Sequence, residues 1–210
     1  MRNLEKLPIP AVLRDNWEDW TQQYNADKES NTKRYRYRHD DIKSALVEET
    51  ASKCIYCESK IGHNTPGDVE HKTPSSVNAD LHFSWDNLTL ACTECNRRKR
   101  AYYDIERPFL DPYQGDVENR ILHLGPLVGW LPGDVSAEIS IRTLQLHDNS
   151  RPELIKRKIE AIDHLNNLVA RYHQVDGVMK ELILLSIRKL KNKESEYSGM
   201  LATVCDKYGI

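Results

Sequence analysis

Long apolar runs are missing from this chain of 210 residues. No stretch approaches the roughly 18 to 20 consecutive apolar residues that a membrane-spanning helix needs. The opening Met1–Glu18 also lacks the apolar run that is typical of a secretion signal. The sequence therefore predicts a cytoplasmic protein with no membrane association.

An excess of charge of either sign is also missing. Lys and Arg number 30 and Asp and Glu number 32, so the formal net charge is -2. Net charge thus gives no indication of nucleic-acid binding, and any basic contact surface must be local. Charged residues make up 30% and apolar residues 39% of the chain, which excludes collagen, coiled-coil rods and wholesale disorder. The length suits one well-buried domain, with or without a helical attachment.

Cysteine is scarce, yet four of the five cysteines form two C-x-x-C pairs, Cys54 with Cys57 and Cys92 with Cys95. Such a pair presents two thiolates on one side of a turn, as tetrahedral zinc requires, whereas disulfides are rare in a cytosolic chain. Redox-active dithiols are the alternative, but no thioredoxin-like strand and helix surround the first pair. We therefore expect structural zinc, and we expect Cys205 to be a buried free thiol.

Turn signals and hydrophobic periodicity divide the chain into four segments and predict an α+β fold with a helical majority. The segments are an N-terminal helical segment that packs on the core (1–50), a central segment that holds the cysteine pairs (51–104), a short-strand extension (105–148) and a C-terminal helical region suited to partner docking (149–210).

Local patterns place individual elements within these segments. The pattern of residues 40–50 predicts an amphipathic helix. Short strands are predicted at Ile121–Leu124 and Leu127–Trp130, and the alternation over Val135–Ile141 predicts a further strand. Ser150–Glu153 has the pattern of a capping box and predicts the start of a long helix.

The stretch between the two cysteine pairs is longer than the roughly 15 to 20 residues of a simple zinc ribbon, and it holds side chains suited to phosphodiester cleavage. His71 can take a proton from water at neutral pH. Glu70 and Asn96 offer the hard oxygen ligands that suit Mg²⁺ or Mn²⁺. Asn87, whose amide both donates and accepts hydrogen bonds, is predicted to brace the intervening loop.

The adjacency of Glu70 and His71 imposes a constraint. Neighbours in a strand point to opposite faces, so both can reach one phosphate only if the strand is twisted or bulged there. Asp68 either caps the preceding turn, which we favour, or helps to bind metal. Among the remaining histidines, His63 or His82 is expected to line the site.

Two basic runs are candidate phosphate contacts. Arg97, Arg98, Lys99 and Arg100 follow the second cysteine pair, and Lys33–Arg38 interleaves four cations with two tyrosines. Cations of this kind can track a phosphate backbone, and tyrosines can stack on bases. For each run, a solvated surface is the alternative interpretation.

With these residues the central segment resembles the HNH endonucleases, which have a ββα-metal core on a zinc-stabilised scaffold. The features that carry the resemblance are the two C-x-x-C pairs, Glu70-His71-x-x-Pro74, Asn87-Leu88 and Asn96-x-x-Lys99. The resemblance implies that His71 is the general base and that Asn87 orients the hairpin loop. It further implies that Asn96 and Glu70 bind the catalytic metal and that Lys99 contacts phosphate.

A weaker resemblance extends outward from this core. The proline-containing opening, the helix before Cys54 and the segment Ile141–Arg157 are similar to the HNH effector subunits of Septu and retron-associated anti-phage systems. Those subunits work beside an ABC-like ATPase, and no nucleotide-binding P-loop motif occurs here. The resemblance thus implies an ATPase partner and a nucleic-acid substrate, with DNA favoured over RNA. A catalytically silent zinc-ribbon module that binds nucleic acid or protein is the alternative.

Overall fold

The computed structural model describes residues 1–62 and 67–210, and within them helices surround two separate two-stranded antiparallel sheets. The helices are α1 (Ala11–Arg14), α2 (Trp17–Ala26), α3 (Asn31–Arg34), α4 (Asp40–Glu49), α5 (Thr93–Lys99), α6 (Val117–Arg120), α7 (Val135–Thr143), α8 (Pro152–Gln174), α9 (Gly177–Lys191) and α10 (Ser198–Tyr208). The strands are β1 (Asp68–His71), β2 (Leu88–Ala91), β3 (Ile121–Leu124) and β4 (Leu127–Trp130). The predicted α+β class is therefore confirmed. No helix in these two ranges is both long enough and apolar enough to cross a bilayer.

The first sheet and the helix after it form a ββα unit. β1 pairs antiparallel with β2, every residue of β2 is buried, and α5 follows β2 and packs on β1. The pairing runs without interruption from Asp68 opposite Ala91 to His71 opposite Leu88. The described pairing therefore contains no bulge at Glu70, and Glu70 and His71, as neighbours in the strand, lie on opposite faces of the sheet.

The N-terminal segment packs on this unit. α4 matches the helix predicted over residues 40–50 and buries Ile42 and Leu46, which lie four residues apart on one face. Ahead of α1, the carbonyl of Leu7 accepts a hydrogen bond from Trp85 Nε1 at 2.7 Å. The ββα unit is thus covered by chain that precedes the first cysteine.

The third segment contains one element that the sequence prediction got wrong. β3 and β4 have the predicted bounds, but Val135–Ile141 belongs to helix α7 and not to a strand. Asp134 caps this helix by accepting a hydrogen bond from the Ala137 amide at 2.9 Å, and Arg120 holds the Asp134 carboxylate at 2.7 and 2.8 Å. The cap and its ion pair favour a helix despite the alternating sequence.

The C-terminal region consists of α8, α9 and α10, which pack on one another. α8 begins at Pro152 with Arg151 in the capping position and no side-chain cap, so the capping role predicted for Ser150 is wrong. The buried side chains of α8 recur at helical spacing and face the core, as an amphipathic helix requires. Cys205 on α10 is fully buried and free, as predicted.

Candidate active site and metal centre

The four cysteines of the two pairs converge on one point. Their sulfur atoms all lie within 4.8 Å of one another, and the Cys57 and Cys92 sulfurs are 3.8 Å apart. A tetrahedral zinc site with Zn–S bonds of about 2.3 Å sets its sulfurs about 3.8 Å apart, so the cluster fits zinc. Cys92 is also the N-cap of α5 and accepts from the Cys95 amide at 3.4 Å. The cluster therefore joins the loop of the first pair to the start of α5.

A cation from the C-terminal region lies against this four-cysteine cluster. The buried Arg151 guanidinium donates to Cys95 Sγ at 3.3 Å and to the Leu144 carbonyl at 3.2 Å. Burial lowers the pKa of Arg151, but the nearby thiolates of Cys95 and Cys57 outweigh this effect and raise it above its usual value. A zinc ion bound by four thiolates would carry net negative charge, which Arg151 would partly neutralise. No local pattern in the sequence indicated this contact.

The ring of His71, at the end of β1, is held between two aromatic side chains. Its Nε2 lies 3.0 Å from the carbonyl oxygen of His82. The two imidazoles stack with centroids 4.7 Å apart and an interplanar angle of 7°, and Tyr37 meets His71 edge-on at 4.7 Å. The His82 ring is itself held by two hydrogen bonds, one between its Nε2 and the Arg34 carbonyl at 2.8 Å and one between its Nδ1 and the Ser75 hydroxyl.

These contacts define the protonation of His71. A carbonyl oxygen can only accept, so the Nε2 that faces His82 must carry the proton, and Nδ1 holds the free lone pair. Burial, with a smaller contribution from His82, lowers the pKa of His71 to about 3. The ring is therefore neutral at physiological pH, and within residues 1–62 and 67–210 its Nδ1 has no hydrogen-bond partner.

Asn87 ties the loop after β1 to the start of β2. Its Oδ1 accepts from the Thr73 amide at 2.7 Å, and its Nδ2 donates to the carbonyls of Thr73 and Leu81, both at 3.0 Å. Its own carbonyl accepts from the Lys72 amide at 2.9 Å. These are the contacts that the predicted bracing role requires, and they fix the loop that carries the His82 carbonyl.

Asn87→Ala is expected to lower the free energy of unfolding by about 2 to 4 kcal/mol, because three side-chain hydrogen bonds are lost and buried backbone groups are left unpaired. Chemical denaturation of the variant measures this loss. Asn167→Ala, at an exposed position of α8, is the matched control and should stay within about 0.5 kcal/mol of wild type. Equal destabilisation of both variants would contradict the bracing role.

Glu70 lies on the other face of β1, where it pairs with Lys99 of α5. The Lys99 ammonium is 2.6 Å from Glu70 Oε1 and donates to the His71 carbonyl at 2.9 Å, and both side chains are almost completely buried. Burial raises the pKa of Glu70, and the Lys99 charge partly offsets this. Lys99 therefore lies in the core, which corrects its predicted position at a phosphate contact.

Asp68 and Asn96 are the polar pair that faces open space on this side of the hairpin. Asn96 Nδ2 donates to Asp68 Oδ2 at 3.3 Å, and both residues line a cavity together with residues of α4 and of the turn before it. In the structure Asp68 belongs to β1 and lies beside Asn96, while the turn that it was favoured to cap lies partly outside the described residues.

A divalent cation fits this donor set. A carboxylate and an amide oxygen suit Mg²⁺ or Mn²⁺, which keep several waters and need few protein ligands. Asp68 and Asn96 offer these groups at the cavity. Glu70 does not line this cavity, and its Oε1 is paired with Lys99.

The other predicted basic contacts on α5 are partly engaged. Arg97 and Arg98 both pair with Glu94, at 2.9 and 2.6 Å, and Arg100 is exposed beyond the end of the helix. His82 does lie beside His71, as expected of a residue that lines the site. His63 lies outside the described residues.

Sequence reasoning missed the contact between Tyr37 and His71, since nothing local indicates that this turn reaches β1. It also missed the buried position of Lys99, although a signal was present. Cys95 and Lys99 are four residues apart and share one face of α5, so a buried zinc ligand at one position predicts burial at the other.

Residues 54–101 match the HNH endonuclease family. The match contains the whole ββα unit and all four clustered cysteines, so this part of the chain is an HNH endonuclease domain.

Two relatives share similarity over more than this domain. Septu protein PtuB of Bacillus thuringiensis is 26% identical over 176 residues, which cover 78% of this chain and 67% of the relative. Septu protein PtuB of Bacillus mycoides (strain KBAB4) is 25% identical over 187 residues, which cover 70% of this chain and 63% of the relative. The chain thus spans about two thirds of the length of these relatives.

Proposed function

We propose that the protein is a metal-dependent endonuclease that hydrolyses phosphodiester bonds of nucleic acid, with His71 as the general base. The observation that carries this proposal is the pair of contacts that fix His71, its Nε2 bond to the His82 carbonyl and its stacking on the His82 ring. A purely structural zinc ribbon has no use for a neutral histidine held in this way, with an Nδ1 that has no hydrogen-bond partner among the described residues, at the end of the strand that also carries Asp68.

In this proposal the free Nδ1 of His71 accepts the proton of the attacking water. A pKa of about 3 makes the free ring a weak base. The negative charge of a bound phosphodiester favours the protonated ring and so raises this pKa toward the range that general-base catalysis needs. Asn87 and His82 serve as positioning residues, because their hydrogen bonds hold the loop whose carbonyl sets the tautomer of His71.

A divalent cation, when bound, would neutralise charge on the phosphate and the leaving oxygen. Asp68 and Asn96 would hold it, and Glu70, which the sequence favours as a ligand and which pairs with Lys99 through Oε1, would join them. The four-cysteine cluster suggests a separate structural zinc site, formed by Cys54, Cys57, Cys92 and Cys95.

We further propose that the protein acts in the cytoplasm as the nuclease of an anti-phage system, with DNA as the favoured substrate and an ABC-like ATPase as its partner. The similarity to the two Septu proteins supports this assignment. The C-terminal region, 149–210, would contact the partner, since α9 exposes the apolar side chains Val178, Met179, Leu182 and Leu185.

A catalytic test separates this function from a silent binding module. The purified protein is incubated with plasmid DNA, single-stranded DNA or total RNA in the presence of Mg²⁺, Mn²⁺ or EDTA. We expect cleavage in the presence of a divalent cation and no cleavage in EDTA. The nucleic acid that is cut identifies the substrate class. If nothing is cut, even after addition of the proposed ABC-like ATPase partner, the binding-module interpretation replaces the nuclease.

A further inference from the structure

The turn Tyr35–Arg38, which follows α3, lies directly against the imidazole pair. Tyr37 is 8% exposed and meets His71 and His82 edge-on, at 4.7 and 5.1 Å. The Arg34 carbonyl accepts from His82 Nε2 at 2.8 Å. Because these contacts anchor the turn to the two histidines, the backbone of Arg38, next to Tyr37, is held near His71.

Two cations from this region share a cavity with the candidate cation ligands. Arg38, at the end of the turn, and Lys43 of α4 line the same cavity as Asp68 and Asn96. In the described ranges 1–62 and 67–210, neither cation forms an ion pair, although Arg38 stacks over Tyr35 at 4.3 Å. By contrast, Arg97 and Arg98, at the start of the α5 basic run, are both held by Glu94.

The charges around the cavity fit a phosphate that is bound together with a cation. Arg38 and Lys43 carry two positive charges, while Asp40 and Asp68, which also line the cavity, carry two negative charges. Because the positive and negative charges around the cavity are equal in number, they do not favour the binding of an anion alone. They do favour a divalent cation at Asp68 and Asn96 with a phosphate group between that cation and the two basic side chains.

We propose that Arg38 and Lys43 bind the phosphodiester backbone of the nucleic acid at the cleavage site. The inference rests on the nuclease function proposed above, and it assigns the phosphate contact to the N-terminal segment and not to the basic run on α5. A guanidinium offers paired donors to phosphate oxygens and an ammonium offers a point charge, so the two residues together can hold one phosphate.

Binding measured apart from catalysis tests this site. The full-length His71→Ala protein, in Ca²⁺, is titrated with fluorescent double-stranded DNA, single-stranded DNA and RNA oligonucleotides between about 50 and about 200 mM salt. Adding Arg38→Gln and Lys43→Gln should weaken binding on the order of tenfold and should reduce the slope of log K against log salt by about 1.4 to 1.8, the value for two lost phosphate contacts.

Two matched double variants make the result specific. Arg188→Gln with Lys189→Gln removes one arginine and one lysine from exposed positions on α9 and should leave the salt slope unchanged. Arg97→Gln with Arg98→Gln removes two cations of α5 and should change the slope by less than the Arg38 and Lys43 pair does. Thermal melts verify that every variant is folded.

The possible outcomes distinguish a failure of the proposed phosphate site from a failure of the proposed nuclease function. An unchanged slope for the Arg38 and Lys43 variant, with wild-type protein that still cuts nucleic acid, would overturn the site alone. A reduced slope only for the Arg97 and Arg98 variant would place the phosphate on α5 and would also overturn it. A protein that binds none of the three nucleic acids would overturn both proposals.

Discussion

Cys92→Ser is expected to abolish zinc binding and to unfold the ββα unit. The side chain belongs to the four-cysteine cluster and also caps α5, so its loss disconnects the helix from the loop that carries Cys54 and Cys57. Structural zinc contributes an apparent binding free energy of roughly 10 to 16 kcal/mol, which matches or exceeds the whole stability of a typical domain, about 5 to 15 kcal/mol. Circular dichroism melts and a colorimetric zinc assay measure the two effects.

Cys205→Ala is the matched control for this experiment. Cys205 is fully buried but lies on α10, apart from the cluster, so its truncation removes one small side chain and no zinc ligand. The control should retain its zinc and its cooperative melt. A Cys92→Ser protein that melts like wild type would show that the cluster does not hold the structural metal.

The parts of the fold that the sequence predicts well are those with strong local signals. The strands Ile121–Leu124 and Leu127–Trp130 flank a tight Gly-Pro turn, and the structure has both with the predicted bounds. Val135–Ile141 misled the prediction because its apolar residues alternate in the sequence, whereas the residues that are buried, Ala137, Ser140 and Ile141, follow helical spacing. The deciding contact, from Arg120 to Asp134, joins elements that no local pattern connects.

At the site, too, the features with a local sequence signal were predicted, and those that depend on tertiary contacts were not. The cysteine spacing predicts the cluster, because two close thiolates on each of two turns suit one metal, and the sulfurs do converge. The hydrogen bonds of Asn87 fit its predicted role. The buried ion pair of Glu70 and Lys99 forms because α5 packs on β1. The orientation of the His71 ring is set by a hydrogen bond to the backbone carbonyl of His82. Backbone groups carry no sequence signature, so a contact of that kind is visible only in the folded chain.

His71→Ala is expected to reduce divalent-dependent cleavage by roughly 100-fold to 10,000-fold, the contribution of a general base. Folding and zinc content should be preserved, since His71 is not part of the four-cysteine cluster and the β1 pairing depends on backbone hydrogen bonds. Cleavage rates, a thermal melt and a zinc assay are measured on the same preparation. His173→Ala, on an exposed face of α8, is the control and should cut like wild type.

Added imidazole distinguishes a lost base from a distorted site. Removal of the His71 ring leaves a space between Tyr37 and His82, where a free imidazole can stack and donate to the same carbonyl. If His71 supplies the base, imidazole should restore part of the cleavage rate in His71→Ala in proportion to its concentration, with no effect on the His173→Ala control. A site that merely collapsed would not respond. A His71→Ala protein that cuts as fast as wild type without imidazole would contradict the assignment, because no other residue described around this loop offers an unengaged imidazole nitrogen.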